Sequence, residues 1–294
     1  MAAGYCYCLG IKSNNFFLKD NKKAFILWLN VPKVTAYHQT KKDGLMGILK
    51  AKKLYFSYSL ENILSFREIG GIVFPMISLC DLPLSEFTDS KWAYGDYAIG
   101  LSREWGEKNG FNPVCYCHAN SDYKKRMINR LVEAAASKDK SVIEKAMFPF
   151  AYMKLVEGVL LNRRYKKYRF YDEKEVRLVP HQEDIKGYEL CLFESQYQDF
   201  KKRYKKSILG KNGVNFSFSD VKYIIVGNEN NRKEVQGVLA KQTEDCSHIV
   251  ILTKQQVLGD IVGNNHNEEL PMLNIEPIKT SELALKIGKE FFKN

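Results

Sequence analysis

The sequence lacks the features that define several classes of protein. None of its 294 residues belong to a run that approaches the roughly 18 apolar residues of a membrane span. The first ten residues are neither basic nor apolar enough for a secretory signal. Internal repeats and low-complexity linkers are also missing. We therefore expect a soluble, cytoplasmic protein that has no membrane partner.

Cysteine spacing excludes the common metal and redox motifs. The chain has seven cysteines, an odd number, and none are spaced as C-x-x-C. Two C-x-C pairs occur, at Cys6/Cys8 and at Cys115/Cys117, without His or Cys partners at zinc-ligand spacing. We interpret the cysteines as reduced, buried thiols and expect no metal cofactor.

The composition is that of a folded, basic protein. Apolar residues make up 45% of the chain and aromatic residues 13%, which excludes disorder as the main state. Lys and Arg number 45 against 34 Asp and Glu, a net charge of +11. Such an excess favours an acidic partner, either a nucleotide, a nucleic acid or an acidic protein, without choosing among them.

The segment from Phe170 to Pro180 carries the clearest chemical pattern. Read as a strand, its period of two places Glu173, Glu175 and Arg177 on one face. Two carboxylates beside a guanidinium suit a working acid that a neighbouring cation keeps ionised in a cleft. A solvated strand face is the alternative interpretation of the same pattern.

Upstream, a strand that ends in polar residues precedes a helix. Val34 to Thr40 is the predicted strand, and because His38 and Thr40 are two residues apart, their side chains point to the same side. Imidazole and hydroxyl groups placed in this way can bond the neighbouring hydroxyls of a ribose. The elements predicted next are a helix at about 42–52, a strand at 54–58, a charged loop at 61–71, a strand at 73–83, a short helix at 85–94 and a strand at 97–101.

The middle of the chain is predicted to be helical from Asp122 to Lys167, with Ser121 as N-cap and a break or kink at Pro149. Its end mixes cations with tyrosines, a composition that suits the backbone and bases of a nucleic acid. A basic helix C-terminus is the alternative. The candidate nucleic-acid contacts are Arg163, Arg164, Lys166, Lys167 and Arg169.

The predicted fold class is α+β, with three regions along the chain. Residues 1–33 form an N-terminal appendage, residues 34–262 one domain with a helical insertion at about 121–167, and residues 263–294 a C-terminal loop and helix. Strands at 221–226 and 249–252 flank a helix at about 231–241 and predict a C-terminal β-α-β extension. A strand at 189–193 and a helix or loop at 197–206 precede them.

The chain resembles the AbiGi family of bacterial abortive-infection proteins, which act in phage defence and are commonly labelled as the antitoxin of a two-gene system. This resemblance implies a cognate toxin or antitoxin partner. The motifs that carry it, in the order of the family and within residues 36–262, are 37–40 with 47–50, 78–84, 94–106 with 109–113, 170–180 and 221–226.

A second resemblance is to the ADP-ribosyltransferase fold, a mixed or antiparallel split sheet that uses a His, a Tyr and a Glu around the nicotinamide of NAD. It implies that His38 holds a ribose with Thr40 beside it, and that Tyr94, or else Tyr97, stacks on nicotinamide. By the same resemblance Glu175 is the catalytic acid and Glu173 the first Glu of the Glu-x-Glu pair, and His38 is grouped with them in catalysis. Arg177, on the same strand face, is expected to pair with one of the glutamates, and we group it with the NAD-binding residues. The sequence departs from the polymerases of this superfamily at Gln39, where they have Gly.

Two hypotheses about function follow. The first is a phage-defence transferase that moves ADP-ribose from NAD to a macromolecule, with RNA favoured over protein as the acceptor because of the basic charge. The second is a non-catalytic module on the same fold that binds a partner toxin or nucleic acid. A nuclease is a third reading, but the acids do not have the spacing of metal ligands.

Overall fold

Short apolar segments build a mixed sheet in the computed structural model, which describes residues 35–66, 70–87, 89–159, 168–185, 187–203 and 212–262. The main sheet runs in the order β13-β12-β5-β1-β4-β9-β6, and every pair in it is antiparallel except the parallel pair of β12 and β13. The strands are β1 (Ala36–Thr40), β2 (Lys53–Tyr55), β3 (Ser57–Phe66), β4 (Gly70–Asp81), β5 (Tyr97–Leu101), β6 (Asn112–Pro113), β7 (Cys115–Cys117), β8 (Met153–Leu155), β9 (Glu175–Leu178), β10 (Leu192–Phe193), β11 (Gly213–Asn215), β12 (Val221–Val226) and β13 (Val250–Thr253).

The long strand β4 belongs to two groups of strands. Along its first half, Val73 pairs with residues of both β3 and β10. Along its second half, Cys80 opposes Tyr37 of β1 on one side and Glu175 of β9 on the other. The sheet therefore splits along β4, and the functional segment β9 lies beside the second half of this strand. The predicted α+β class with a mixed sheet is confirmed.

Helices pack on the sheet and supply three apolar cores. The first core includes Leu45 and Leu49, the second Phe74 and Phe150, and the third Tyr37 with aromatic neighbours. Buried apolar side chains of this number account for most of the driving force for folding. The helices are α1 (Lys42–Ala51), α2 (Arg103–Lys108), α3 (Asp122–Ala136), α4 (Lys140–Ala151), α5 (Glu194–Arg203), α6 (Glu229–Leu239) and α7 (Lys254–Gln256).

Local sequence rules predict several of these boundaries. Strands β5 and β12 have the predicted bounds, and α1 buries the predicted stripe that includes Leu45 and Leu49. Ser121 caps α3, because its hydroxyl accepts a hydrogen bond from the Lys124 amide at 3.3 Å. The predicted β-α-β unit is also present, since β12 and β13 are parallel and α6 connects them.

Three predicted elements are wrong. Within the charged loop predicted at 61–71, residues 61–66 instead end β3 and residues 70–71 start β4, and Ile63 and Leu64 are buried in the core. The helical section is interrupted between α3, which ends at Ala136, and α4, which begins at Lys140. The chain does not break at Pro149, because this residue lies within α4, which ends at Ala151. After α4 the chain forms the strand β8, parallel to β7, rather than a continuing helix.

The remaining differences concern lengths and coverage. Strand β10 is two residues long, shorter than the predicted strand at 189–193, and α5 starts before the predicted 197. The short helix at 85–94 is two separate 3₁₀ segments, Leu84–Glu86 and Asp89–Tyr94. The N-terminal appendage (1–33) and the C-terminal loop and helix (263–294) lie outside the described residues.

Candidate active site

The acidic segment is a helical turn followed by a strand, which corrects the prediction of one strand from Phe170 to Pro180. Phe170–Glu173 form a 3₁₀ turn, and Lys174 then adopts a left-handed conformation with φ of 45°. Strand β9 begins only at Glu175. Glu173 and Glu175 are nevertheless both buried, because the reversal at Lys174 returns the chain toward the same side.

Glu175 is bound by two buried cations. Its Oε1 accepts a hydrogen bond from Arg177 Nε at 2.6 Å. Its Oε2 accepts bonds from Lys154 Nζ at 2.6 Å and from Arg177 Nη2 at 3.0 Å. Arg177 shares a face with Glu175 on β9, as the alternation predicted, and its side chain is fully buried. Both oxygens of Glu175 therefore make charge-assisted hydrogen bonds inside the protein.

Lys154 links the two glutamates. Its Nζ also donates to Glu173 Oε2 at 2.9 Å, so one ammonium group contacts both carboxylates. The same nitrogen lies 4.8 Å from the centre of the Phe170 ring, within range of a cation–π interaction. Lys154 thus fixes the distance between Glu173 and Glu175 from the neighbouring strand β8.

Arg177 extends the network to a third carboxylate. Its Nη2 donates to Glu61 Oε1 on β3, and its Nη1 donates to the carbonyl of Ala151 at 2.7 Å, at the end of α4. With every group ionised, three carboxylates and two cations give this cluster a net charge of −1. We call these five residues the buried charge cluster: Glu61, Lys154, Glu173, Glu175 and Arg177.

The pKa values of Glu61 and Glu175 are shifted in opposite directions. Burial raises the pKa of Glu61, and the attraction of Arg177 opposes this only in part. Burial would also raise the pKa of Glu175, but Lys154 and Arg177 outweigh it and hold the pKa of that carboxyl well below its usual value. Glu175 is therefore ionised near pH 7.

Tyr94 connects the buried charge cluster to the surface. Its pKa is raised well above the ordinary value, chiefly by burial of the hydroxyl, and Lys154, Glu173 and Glu175 all act on it. The residue as a whole is 41% exposed, so the ring reaches solvent while its hydroxyl faces the carboxylates. The hydroxyl of Tyr168 also interacts with Glu173, and burial first, then the charge of that carboxylate, raises the pKa of Tyr168.

Glycine allows Tyr94 to sit against the end of β1. Gly95 has a φ of 152°, and a Cβ atom at this position would lie 2.0 Å from the Thr40 carbonyl oxygen. No residue with a side chain fits there without moving the backbone. The predicted residues Tyr94 and Thr40 are therefore brought together by a close backbone contact.

His38 lies in β1, the strand that also holds Thr40. Its side chain is on the face of the sheet opposite to that of Glu175. Tyr37 opposes Cys80, and Cys80 opposes Glu175, so these three side chains share one face of the sheet. Because His38 follows Tyr37, it points from β1 toward the other face.

The contacts of the His38 ring fix its tautomer. Its Nδ1 lies 3.1 Å from the carbonyl oxygen of Ser78. Burial lowers the pKa of His38, although this hydrogen bond opposes the shift, so the ring is neutral near pH 7. A carbonyl only accepts, so Nδ1 carries the hydrogen and Nε2 is left as an acceptor.

The other predicted site residues lie apart from the cluster or outside the described chain. The Tyr97 hydroxyl donates to Asn231 Oδ1 of α6 at 2.8 Å, which turns it away from Glu173. Arg169 lies over the exposed ring of Tyr171, 5.5 Å from its centre. Arg163, Arg164, Lys166 and Lys167 fall outside the described residues, so nucleic-acid binding by this run stays a prediction.

Sequence reasoning missed three members of the site. Lys154 lies in a segment predicted to be helical, and Glu61 lies in a predicted loop. Tyr168 lies in the run of cations and tyrosines that was interpreted as a contact with nucleic acid. One signal was available for Lys154, because it is the only charged residue between Ala146 and Val156. A lone lysine in such an apolar run must find a buried partner. Glu61 had no comparable signal.

Two of the cavities in the described part of the chain lie away from the cluster, and neither of these two is lined by Glu173, Glu175 or Tyr94. A cavity of about 530 Å³ lies where β12 and β13 end, beside Asn228 and Thr253. Another of about 600 Å³ lies beyond the end of β9, beside Phe148. Across the described residues, no group of His, Cys, Asp and Glu has a metal-binding arrangement, and no helix is long and apolar enough to cross a membrane.

Comparison with known proteins identifies the family. Residues 46–227 match the family described as "Putative abortive phage resistance protein AbiGi, antitoxin", and the chain belongs to that family. The abortive phage resistance protein AbiGi of Lactococcus lactis subsp. cremoris is 29% identical over 179 residues, which are 52% of this chain and 71% of that relative.

The chain was also compared with solved structures. Thermus sp. 2.9 DarT in complex with NAD⁺ aligns with 76% of this chain and 97% of its own, at 14% identity and a TM-score of 0.33. A likeness of that size carries no argument about the site, which has to be judged from its own residues.

Proposed function

We propose that this abortive-infection protein is an ADP-ribosyltransferase that transfers ADP-ribose from NAD to a macromolecular acceptor, with RNA favoured. One observation carries the proposal: the carboxylates of Glu173 and Glu175 are bound by Lys154 and Arg177 and interact with Tyr94, a residue that is 41% exposed. The mixed sheet, in which β4 pairs with two groups of strands, supports the proposal as a scaffold on which these residues meet.

The geometry suits the chemistry of breaking a glycosidic bond. As the bond between the ribose C1′ and nicotinamide breaks, its electron pair leaves with nicotinamide and positive charge develops on the ribose. A carboxylate fixed nearby stabilises that charge without having to reorganise. The acceptor then forms a bond to C1′ and releases its proton. The exposed ring of Tyr94 would stack on nicotinamide, and His38 and Thr40 would bond a ribose.

The position of His38 limits how NAD can bind. His38 points to the face opposite Glu175, so a ribose held by Nε2 of this ring reaches the carboxylates only around the end of β1. The close contact of Gly95 with Thr40 places Tyr94 at that end. The dinucleotide would therefore cross from the His38 side to the Tyr94 side at Thr40.

The test uses labelled NAD with the purified full-length protein. Nicotinamide release and transfer of label to total RNA, DNA or lysate protein are measured for the wild type, Tyr94→Ala and Tyr123→Ala. Tyr123 is an exposed tyrosine of α3 and serves as the matched control. Loss of a stacking ring should lower transfer by roughly 10- to 100-fold in Tyr94→Ala and leave Tyr123→Ala unchanged.

The outcome also decides the acceptor class. Label found on RNA supports the favoured acceptor, whereas label on protein or DNA keeps the transferase and replaces RNA. If the wild type neither binds NAD nor releases nicotinamide under any of these conditions, the transferase proposal is wrong.

A second candidate is a non-catalytic antitoxin. Its support is that both Glu175 oxygens are already bound by buried cations, as in a structural ion network, and that neither cavity reaches this residue. The family description as an antitoxin agrees with it. Under this reading, cells that express the partner toxin are protected equally by the wild type and by Tyr94→Ala, and no NAD is consumed.

A further inference from the structure

The two glutamates on either side of Lys174 have different surroundings, and we propose that Glu173, rather than Glu175, is the carboxylate that contacts the substrate. This inference rests on the proposed transferase function and reverses the roles that the ADP-ribosyltransferase resemblance implies. In it, Glu173 is the catalytic residue, and Glu175 and Lys154 are positioning residues.

Both oxygens of Glu175 are already bound by donors of the protein itself. Its two oxygens accept three hydrogen bonds, at 2.6, 2.6 and 3.0 Å, and all donors are buried nitrogen atoms of Lys154 and Arg177. The residue is 4% exposed. A ribose hydroxyl could reach this carboxylate only by displacing a charged donor, and breaking such a contact leaves a buried charge without its partner.

Glu173 is bound by the buried charge cluster through one oxygen only. Only its Oε2 is engaged, by Lys154 Nζ at 2.9 Å. Among the described residues, Oε1 receives no hydrogen bond of ordinary geometry, although the side chain is 2% exposed. A buried carboxylate oxygen in that condition is costly unless something else fills its bonding capacity. Oε1 is therefore the acceptor that the buried charge cluster leaves for a ligand.

The hydroxyls of Tyr94 and Tyr168 both approach the Glu173 carboxylate, and Tyr94 is the residue that reaches solvent. A ligand that stacks on the exposed ring would meet Glu173 before Glu175. The chemical class that fits a carboxylate oxygen beside an aromatic ring is a sugar hydroxyl next to a flat, cationic heterocycle, as in the nicotinamide riboside half of NAD.

Lys154 has a defined part in this arrangement. Its Nζ donates to both glutamates, and its side chain is buried, with Nζ 4.8 Å from the centre of the Phe170 ring. Its ammonium binds Oε2 of Glu173 and leaves Oε1 as the second oxygen of that carboxylate. Glu175 and Arg177 in turn hold Lys154 in place.

The first arm of the test measures folding and does not need activity. In Glu173→Gln the amide oxygen can still accept from Lys154, and the NH₂ group faces tyrosine hydroxyls that can accept. In Glu175→Gln an NH₂ group must face a cationic donor. We expect the melting temperature to fall by on the order of 10 °C in Glu175→Gln and by only a few degrees in Glu173→Gln. An equal or larger fall in Glu173→Gln overturns the inference, whatever the activity.

The second arm measures nicotinamide release from NAD by the variants that remain folded. Glu173→Gln should lower kcat by about 10²-fold or more with little change in KM, and Glu173→Asp should recover part of that loss. Glu107→Gln, which removes an exposed ion pair with Arg103, is the matched control and should be unchanged. Normal turnover by Glu173→Gln, with loss in a folded Glu175→Gln, overturns the inference and keeps the transferase.

The two failures are distinguishable. A wild type that binds NAD and releases nicotinamide establishes the proposed function, and the variants then decide which glutamate acts. A wild type that does neither refutes the proposed function and removes the substrate on which this inference depends.

Discussion

Replacing Arg177 with Met is the sharpest test of the buried charge cluster. Arg177 is fully buried and donates to Glu175 twice, to Glu61 and to the carbonyl of Ala151. Met is apolar and similar in length, so the change removes the charge and the hydrogen bonds while largely keeping the volume. The net charge of the cluster changes from −1 to −2.

The expected loss of stability follows from the two carboxylates that remain. Removing one partner of a buried ion pair costs about 3–5 kcal/mol, because the other charge stays buried without compensation. For a domain of this size, that corresponds to a fall in melting temperature of about 10 °C. Urea denaturation followed by circular dichroism gives the free energy of unfolding, and a thermal scan gives the melting temperature.

Two further variants make the measurement specific. Arg103→Met removes an exposed pair with Glu107, at 3.0 Å, and should cost less than about 1 kcal/mol. Adding Glu61→Gln to Arg177→Met removes one stranded carboxylate and should restore part of the stability, a coupling of about 0.5–3 kcal/mol. If Arg177→Met is as mild as Arg103→Met, the contacts of the cluster do not have the energetic role described here.

Two other predictions concern a glycine and a surface carboxylate. Gly95→Ala should destabilise the protein by about 1–3 kcal/mol, because the new Cβ atom would collide with the Thr40 carbonyl oxygen. Gly47→Ala in α1 is the control, since a Cβ atom there has open space and the change should be neutral or stabilising. The melting temperatures of the two variants check this prediction. Glu244 has a pKa lowered to about 2, chiefly by the hydrogen bond from Lys52, so its contribution is present above about pH 4.5 and is lost as the pH falls toward 2. Glu244→Gln should therefore flatten the pH dependence of the melting temperature in this range, and an unchanged slope would contradict the assignment.

Alternation along the sequence was sufficient for part of the site. Glu175 and Arg177 share a buried face because they lie two apart on a strand, a relation that depends only on local geometry. Glu173 joins them for a different reason, since the left-handed Lys174 separates the strand from a helical turn. A single lysine with positive φ gives no pattern that could have been read in advance.

The rest of the cluster depends on contacts between distant parts of the chain. Glu61 is 116 residues from Arg177, and Lys154 is 21 residues from Glu175. Their pairing is decided by the tertiary packing that brings side chains of β3 and β8 to those of β9, which a period in the sequence does not encode. The same reason explains why the segments holding Glu61 and Lys154 were predicted as loop and helix: tertiary packing overrode their local composition.

The buried charge cluster is not an arrangement that stability alone would favour. Well-packed apolar residues can replace a buried ion network without loss and often with gain. Apolar residues already lie near Lys154 in the sequence, because Phe150, Ala151 and Met153 belong to the second apolar core. Instead the chain buries five charged groups with an excess negative charge and leaves an oxygen of Glu173 without a hydrogen bond from the described residues. That combination is expected where a carboxylate has to be held ionised for a ligand, and Tyr94 marks the side from which a ligand would arrive.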